Sequence, residues 1–192
     1  MGKVYDGIDG RLREFIDAQP VFFVATAPSG ADGHVNVSPK GMTGTFAVLD
    51  EHRVAYLDYH GSGAETIAHL RDNGRVTLMF CAFAGPPKIV RLHGHGVAVP
   101  VDDPRFAELL AAFPAAPDRH GVRAVITVAV SRVSDSCGFA VPLMTYEGDR
   151  ELLITSHSRR SAAELADYRA TRNAVSIDGL PALAAGVQPA PE

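Results

Sequence analysis

The chain has 192 residues, 46 % of them hydrophobic and 21 % charged, with a net charge of −4. That length suits one domain with a sizeable core, and with no apolar run of 18 residues nothing is expected to span a membrane. Lys and Arg form no stripe along the chain, which argues against nucleic acid as the main partner.

In chain order, Ile8, Leu12, Phe15 and Ile16 recur at helical spacing among charged residues and predict a short amphipathic helix stopped by Pro20. Val21 to Ala27 is a strand-length apolar run, residues 28–33 form a turn, and His34 to Ser38 resumes as a strand. Thr45 to Leu49 and Arg53 to Asp58 flank a second hairpin turn. Ser62 to Asn73 reads as a helix, with Gly74 where a C-cap glycine belongs. Arg75 to Ala82, Lys88 to Val99 and Val122 to Val133 read as strands, with a short helix at Pro104 to Phe113. Ser161 to Asn173 is a final helix opened by the capping box Ser161–Glu164, and the Pro/Ala/Gly-rich stretch from Gly179 reads as a loose tail. About seven strands with few helices predict a mainly β, antiparallel barrel. No repeat or splitting linker interrupts residues 1–192, read as a single domain.

Four stretches carry candidate chemistry. First, the strand ending at Asp58 runs through Tyr59-His60-Gly61 into the helix start Ser62-Gly63-Ala64-Glu65-Thr66. Free amides at a helix N-terminus carry partial positive charge and suit a phosphate. Gly61 and Gly63 permit close approach, and Ser62 and Thr66 add hydroxyls. The competing reading is a capping box in which Ser62 and Glu65 satisfy the helix's own amides. Second, Asn36-Val37-Ser38-Pro39-Lys40-Gly41 places one of only three lysines beside a proline that marks a strand end or bulge. The competing reading is a solvated loop lysine. Third, Ser136-Cys137-Gly138 holds a thiol without a neighbouring base, read as structural. Cys81 and Cys137 lie far apart and outside any Cys-x-x-Cys, as in a reducing compartment. With no apolar leader at the N-terminus, the expected location is the cytoplasm. Fourth, His93-Gly94-His95 places two imidazoles on one strand without an evident third metal ligand.

Together these stretches resemble the pyridoxamine 5'-phosphate oxidase-like FMN-binding split-barrel family. The resemblance covers residues from about 15 to 145 and is carried by Asn36 to Gly41, by Tyr56-Leu57-Asp58, by Gly61 to Leu70, by Asn73 to Phe80 and by Gly85 to Gly94. It implies a six-stranded split barrel and a homodimer with FMN in the clefts between subunits. It also implies cofactor contacts at Ser38, Lys40, Asp58, Tyr59, Gly61, Ser62, Gly63 and Thr66. Lys40 would lie near the flavin, and Ser62, Gly63 and Thr66 at the phosphate. The basic pair that the true oxidases carry at the helix start falls here on Glu65 and Thr66. Their C-terminal Trp-and-Arg substrate motif has no counterpart in a chain without Trp. The resemblance therefore implies an FMN-dependent oxidoreductase acting on a small organic substrate other than pyridoxamine 5'-phosphate. No side chain is assigned a catalytic role, because flavin N5 carries the chemistry. Use of the deazaflavin F420 by the same fold, or a non-enzymatic flavin or haem module with His60 or His93 as axial ligand, are the alternatives.

Overall fold

The computed structural model describes residues 2–183. Its core is one antiparallel sheet. β2 (Val21–Thr26) pairs with β3 (Asn36–Gly41) and β6 (Arg75–Cys81). β7 (Ile89–Pro100) and β8 (Val122–Ser136) follow, then β5 (Arg53–Tyr59) and β4 (Phe46–Asp50), giving the order β3-β2-β6-β7-β8-β5-β4. A two-residue β1 (Val4–Tyr5) pairs with the far end of β8. The strands form because short runs of β-branched and aromatic residues alternate in burial, as in β2, where Phe22, Val24 and Thr26 point inward. β3 and β5 stand far apart in the strand order, yet Lys40 on one meets Asp58 on the other. Likewise the rings of Phe22 on β2 and Phe46 on β4 lie 5.0 Å apart. The sheet is therefore curled into an open barrel, the split-barrel architecture expected from the sequence.

Apolar side chains fill the inside, among them Val24, Leu78, Leu92 and Ile126. α2 (Glu65–Asp72) adds Ile67 and Leu70, and α1 (Gly10–Asp17) adds Leu12 and Ile16. A second cluster on the outer side of β5 and β8 packs Leu57, Val99 and Val125 beneath Phe106 of the five-residue α3 (Phe106–Leu110). α1 is capped by Asp9, whose carboxylate accepts from Leu12 N at 2.8 Å. α5 (Ala162–Arg172) opens on the expected Ser161–Glu164 capping box. Gly74 closes α2 with φ of +71°, a conformation few other residues adopt.

Three local expectations need correction. Pro39 marks neither a strand end nor a bulge: it pairs with Phe23 in the middle of β3 without a register shift. An edge strand tolerates proline because the missing N–H can face the open side. α4 (Leu152–Ser158) was not anticipated. The expected loose tail is anchored at least to residue 183, with Val175 bridging Pro181 and Ala182 fully buried. Its remainder lies outside the described residues. Among those residues, no helix is long and apolar enough to cross a membrane.

Candidate functional site

The site is built where β5 ends. Asp58 points into the barrel mouth and is almost fully buried. Its carboxylate is gripped from two sides: Lys40 Nζ donates to Oδ1 at 2.8 Å, and Arg123 Nε donates to Oδ2 at 2.7 Å. Burial pushes the Asp58 carboxyl up, but Arg123 and Lys40 more than reverse this and hold it at about 2. Two cations and one anion leave the cluster a net single positive charge.

Arg123 does more than neutralise Asp58. Its Nη2 donates to Gly63 O at 2.7 Å and its Nη1 to Gly61 O at 3.3 Å, and Asn173 Nδ2 donates to Gly61 O at 2.8 Å. These bonds hold residues 61–63 in a non-helical turn, so α2 starts at Glu65 rather than at Ser62. The expected capping box at Ser62–Glu65 is not formed: Ala64 is the N-cap and no side chain caps the helix. Among the described residues, the first-turn amides are thus left without a side-chain partner. A Cβ added at Gly61 would meet only Tyr59 O, at 3.9 Å, so ligand atoms can approach the backbone there. At Gly63 it would press on the Glu65 carboxylate, which folds back over the turn and opposes an anion.

Lys40, Tyr59 and Gly61 share the wall of one cleft of about 580 Å³, with Leu57, His60 and Leu153. This volume suits a cofactor-sized ligand. Of the expected contact residues, the structure brings these three to the cleft, with Asp58 buried behind Lys40. Ser38 lies further along β3, donating to Asn36 Oδ1 at 2.9 Å. Asn36 Nδ2 in turn donates to the hydroxyls of Thr26 and Thr66, each at 3.1 Å. Thr66 is buried and tied to β3, with its own proton unassigned among the described residues. Ser62 is exposed.

The sequence offers His60 only as a haem ligand in the alternative reading. Burial lowers its pKa to about 4, and its neighbours fix the neutral tautomer. Nδ1 donates to Gly121 O at 2.8 Å, and Nε2 accepts from Arg169 at 3.1 Å. With both nitrogens engaged, an axial-ligand role would require breaking the Arg169 contact. His157 on α4 lies 2.9 Å from Asp118 and donates from Nε2 to His60 O at 3.0 Å. His93 meets Thr77, its register partner on β6, at 3.1 Å, and His95 is exposed. Cys137, read as a structural thiol, is exposed, whereas Cys81 is buried.

Three comparisons bear on the architecture. The pyridoxamine 5'-phosphate oxidase family pattern matches residues 8–137. A pyridoxamine 5'-phosphate oxidase family protein, ustO, from Aspergillus flavus is 40 % identical over 193 residues, covering 93 % of this chain and 77 % of its own. Among solved structures, an FAD-binding protein from Mesorhizobium loti superposes with a TM-score of 0.50 at 16 % identity, over 70 % of this chain and 95 % of its own. A Clostridium acetobutylicum protein related to general stress protein 26 of B. subtilis, of the pyridoxinephosphate oxidase family, gives a TM-score of 0.50 at 11 % identity. It covers 71 % of this chain and 91 % of its own. At these identities the two structures establish the fold.

Proposed function

The chain belongs to the pyridoxamine 5'-phosphate oxidase family, and on that premise we propose that it holds FMN in the Lys40–Tyr59–Gly61 cleft and transfers hydride between that flavin and a small organic substrate. The observation that carries this reading is the turn at residues 61–66. An open glycine and a lysine share one cleft, the uncapped start of α2 follows that glycine at Glu65, and the buried ion cluster behind Lys40 keeps one net positive charge. That donor set fits a phosphate-bearing flavin, for which the Glu65 carboxylate must swing off the turn. The N-terminal amides of α2 and the Thr66 hydroxyl would take the phosphate, and Lys40 would neutralise it or the electron-rich end of the ring. Bound flavin supplies hydride transfer at N5. The protein orients it, and Tyr59 and Leu57 shield one side of the cleft from water.

The reading includes a homodimer. Val35, Val37, Phe139 and Leu143 are large apolar side chains left exposed, and their burial by a second copy accounts for them. Sedimentation at micromolar concentration should show a dimer, and a stable monomer would contradict it. The reading also includes a cytoplasmic location, supported by the two free thiols.

An absorption spectrum of the purified protein distinguishes FMN from F420 and haem, and protein that carries no flavin bands after incubation with FMN and removal of the free flavin by gel filtration overturns the proposal. Thr66→Ala tests the phosphate contact. Loss of the Asn36 bond should lower stability by about 1 kcal/mol whatever the ligand. FMN affinity should fall about tenfold while riboflavin, which lacks the phosphate, binds as before. Equal losses for both ligands would remove Thr66 from the phosphate site.

A further inference from the structure

We infer that the C-terminal part of the chain, beyond residues 8–137 matched by the family pattern, shapes the cofactor site through two positioning residues, His157 and Asn173. The inference rests on the phosphate reading of the Gly61 turn and adds what holds that turn in its binding form.

A peptide group is planar and trans, so when its C=O points one way its N–H points the other. No cis peptide occurs among the described residues. In three peptide groups of the turn the carbonyl is held by a buried side chain. His60 O accepts from His157 Nε2, Gly61 O from Asn173 Nδ2 and Arg123, and Gly63 O from Arg123. The N–H groups of the same peptides belong to Gly61, Ser62 and Ala64. They must point away from these side chains, and none donates to another described residue. Three donors pointing away from the side chains that hold their carbonyls, next to the uncapped start of α2, make an anion site of the kind formed by successive backbone amides.

Asn173 is the most informative of the three holders. It follows α5, lies fully buried, and leaves its own Oδ1 without a partner among the described residues. An apolar side chain of similar shape would fill that space without orphaning an oxygen, so packing alone does not account for an asparagine there. Its bond to Gly61 O does. Arg169 on α5 reinforces the same turn by donating to His60 Nε2. The C-terminal helix thus acts on the cleft through the backbone of residues 60–63, without needing to touch the ligand.

The test compares FMN and riboflavin affinities, read from flavin fluorescence, for the unmodified protein, Asn173→Leu and Thr171→Ala. Among the described residues Thr171 bonds only Asp167 O, on the exposed side of α5, and serves as the control. Gly61 O keeps its Arg123 bond in Asn173→Leu, so the fold should persist. Should it not, Asn173→Ser, whose side chain stops short of Gly61 O, takes its place. The unmodified protein should prefer FMN at least tenfold. Asn173→Leu should lose about three- to tenfold in FMN affinity with riboflavin unchanged, the expected loss for loosening one hydrogen-bonded constraint. Thr171→Ala should change neither. An FMN-to-riboflavin ratio in Asn173→Leu equal to that of the unmodified protein overturns the inference and leaves the phosphate reading standing. A parallel loss of both ligands also overturns it, by assigning Asn173 a general packing role. Equal affinity for FMN and riboflavin in the unmodified protein overturns the phosphate reading itself, and with it the positioning role of Asn173.

Discussion

Asp58→Asn should lower unfolding stability by about 3–5 kcal/mol, the usual loss when one member of a buried ion cluster is neutralised. The carboxylate is almost fully enclosed, and both partners lie within 2.8 Å. Arg123, with 5 % side-chain exposure, cannot turn to solvent for compensation, whereas Lys40, at 24 %, partly can. Most of the cost therefore comes from the stranded guanidinium. Because the same guanidinium holds Gly61 O and Gly63 O, its displacement should also loosen the turn and weaken FMN. Urea unfolding followed by circular dichroism measures the stability, and a loss below about 1 kcal/mol would show that the cluster is solvated in solution. The pH dependence has a definite sign. The folded-state pKa of Asp58, about 2, lies below its ordinary 3.8. Its contribution is therefore complete above about pH 4 and is lost as pH falls toward 2, on the order of 2 kcal/mol in all. Asp58→Asn should flatten the stability curve across that window.

Lys40→Ala should reduce FMN affinity by about tenfold to a hundredfold, as expected for losing one charge-assisted bond, while leaving the fold intact. The asymmetry with Asp58 follows from the cluster. Removing Lys40 leaves Asp58 paired with Arg123, and the lysine side chain is the partly exposed member lining the cleft. If Lys40 meets the phosphate, riboflavin binding is spared. If it meets the ring, both ligands weaken. Equilibrium titration of both ligands decides, and FMN affinity unchanged from that of the unmodified protein would make Lys40 a structural partner of Asp58 and nothing more.

What the sequence made legible was local. Helices α1 and α5 announced themselves by apolar spacing and capping residues, and β2, β5 and β6 by short β-branched runs bounded by turns. α4 did not, because it has no apolar stripe: its one buried residue is His157, held by Asp118 and His60 O from distant segments. The start of α2 was placed at Ser62 for a similar reason. Ser-x-x-Glu is a sound local signal, but Arg123, 60 residues beyond Gly63, takes the carbonyl and keeps the turn out of the helix. Lys40 and Asp58 were each singled out, yet their pairing depends on the curl of the sheet. Arg123 does leave a signal in the sequence: a lone arginine among Val122, Ala124, Val125 and Ile126 is a charge inside a buried strand, and such a charge must find a partner. Asn173 left none, since its role lies in a single contact across 112 residues.

The central claim is that FMN lies with its phosphate on the turn at residues 61–66. A crystal structure of the protein grown with FMN tests this most directly. The account predicts phosphate oxygens at about 2.7–3.2 Å from amides of the 61–66 segment, with the flavin in the cleft lined by Lys40 and Tyr59. FMN ordered elsewhere, for instance in the larger cavity beside Phe46 and Phe83 with the Gly61 turn untouched, would contradict it.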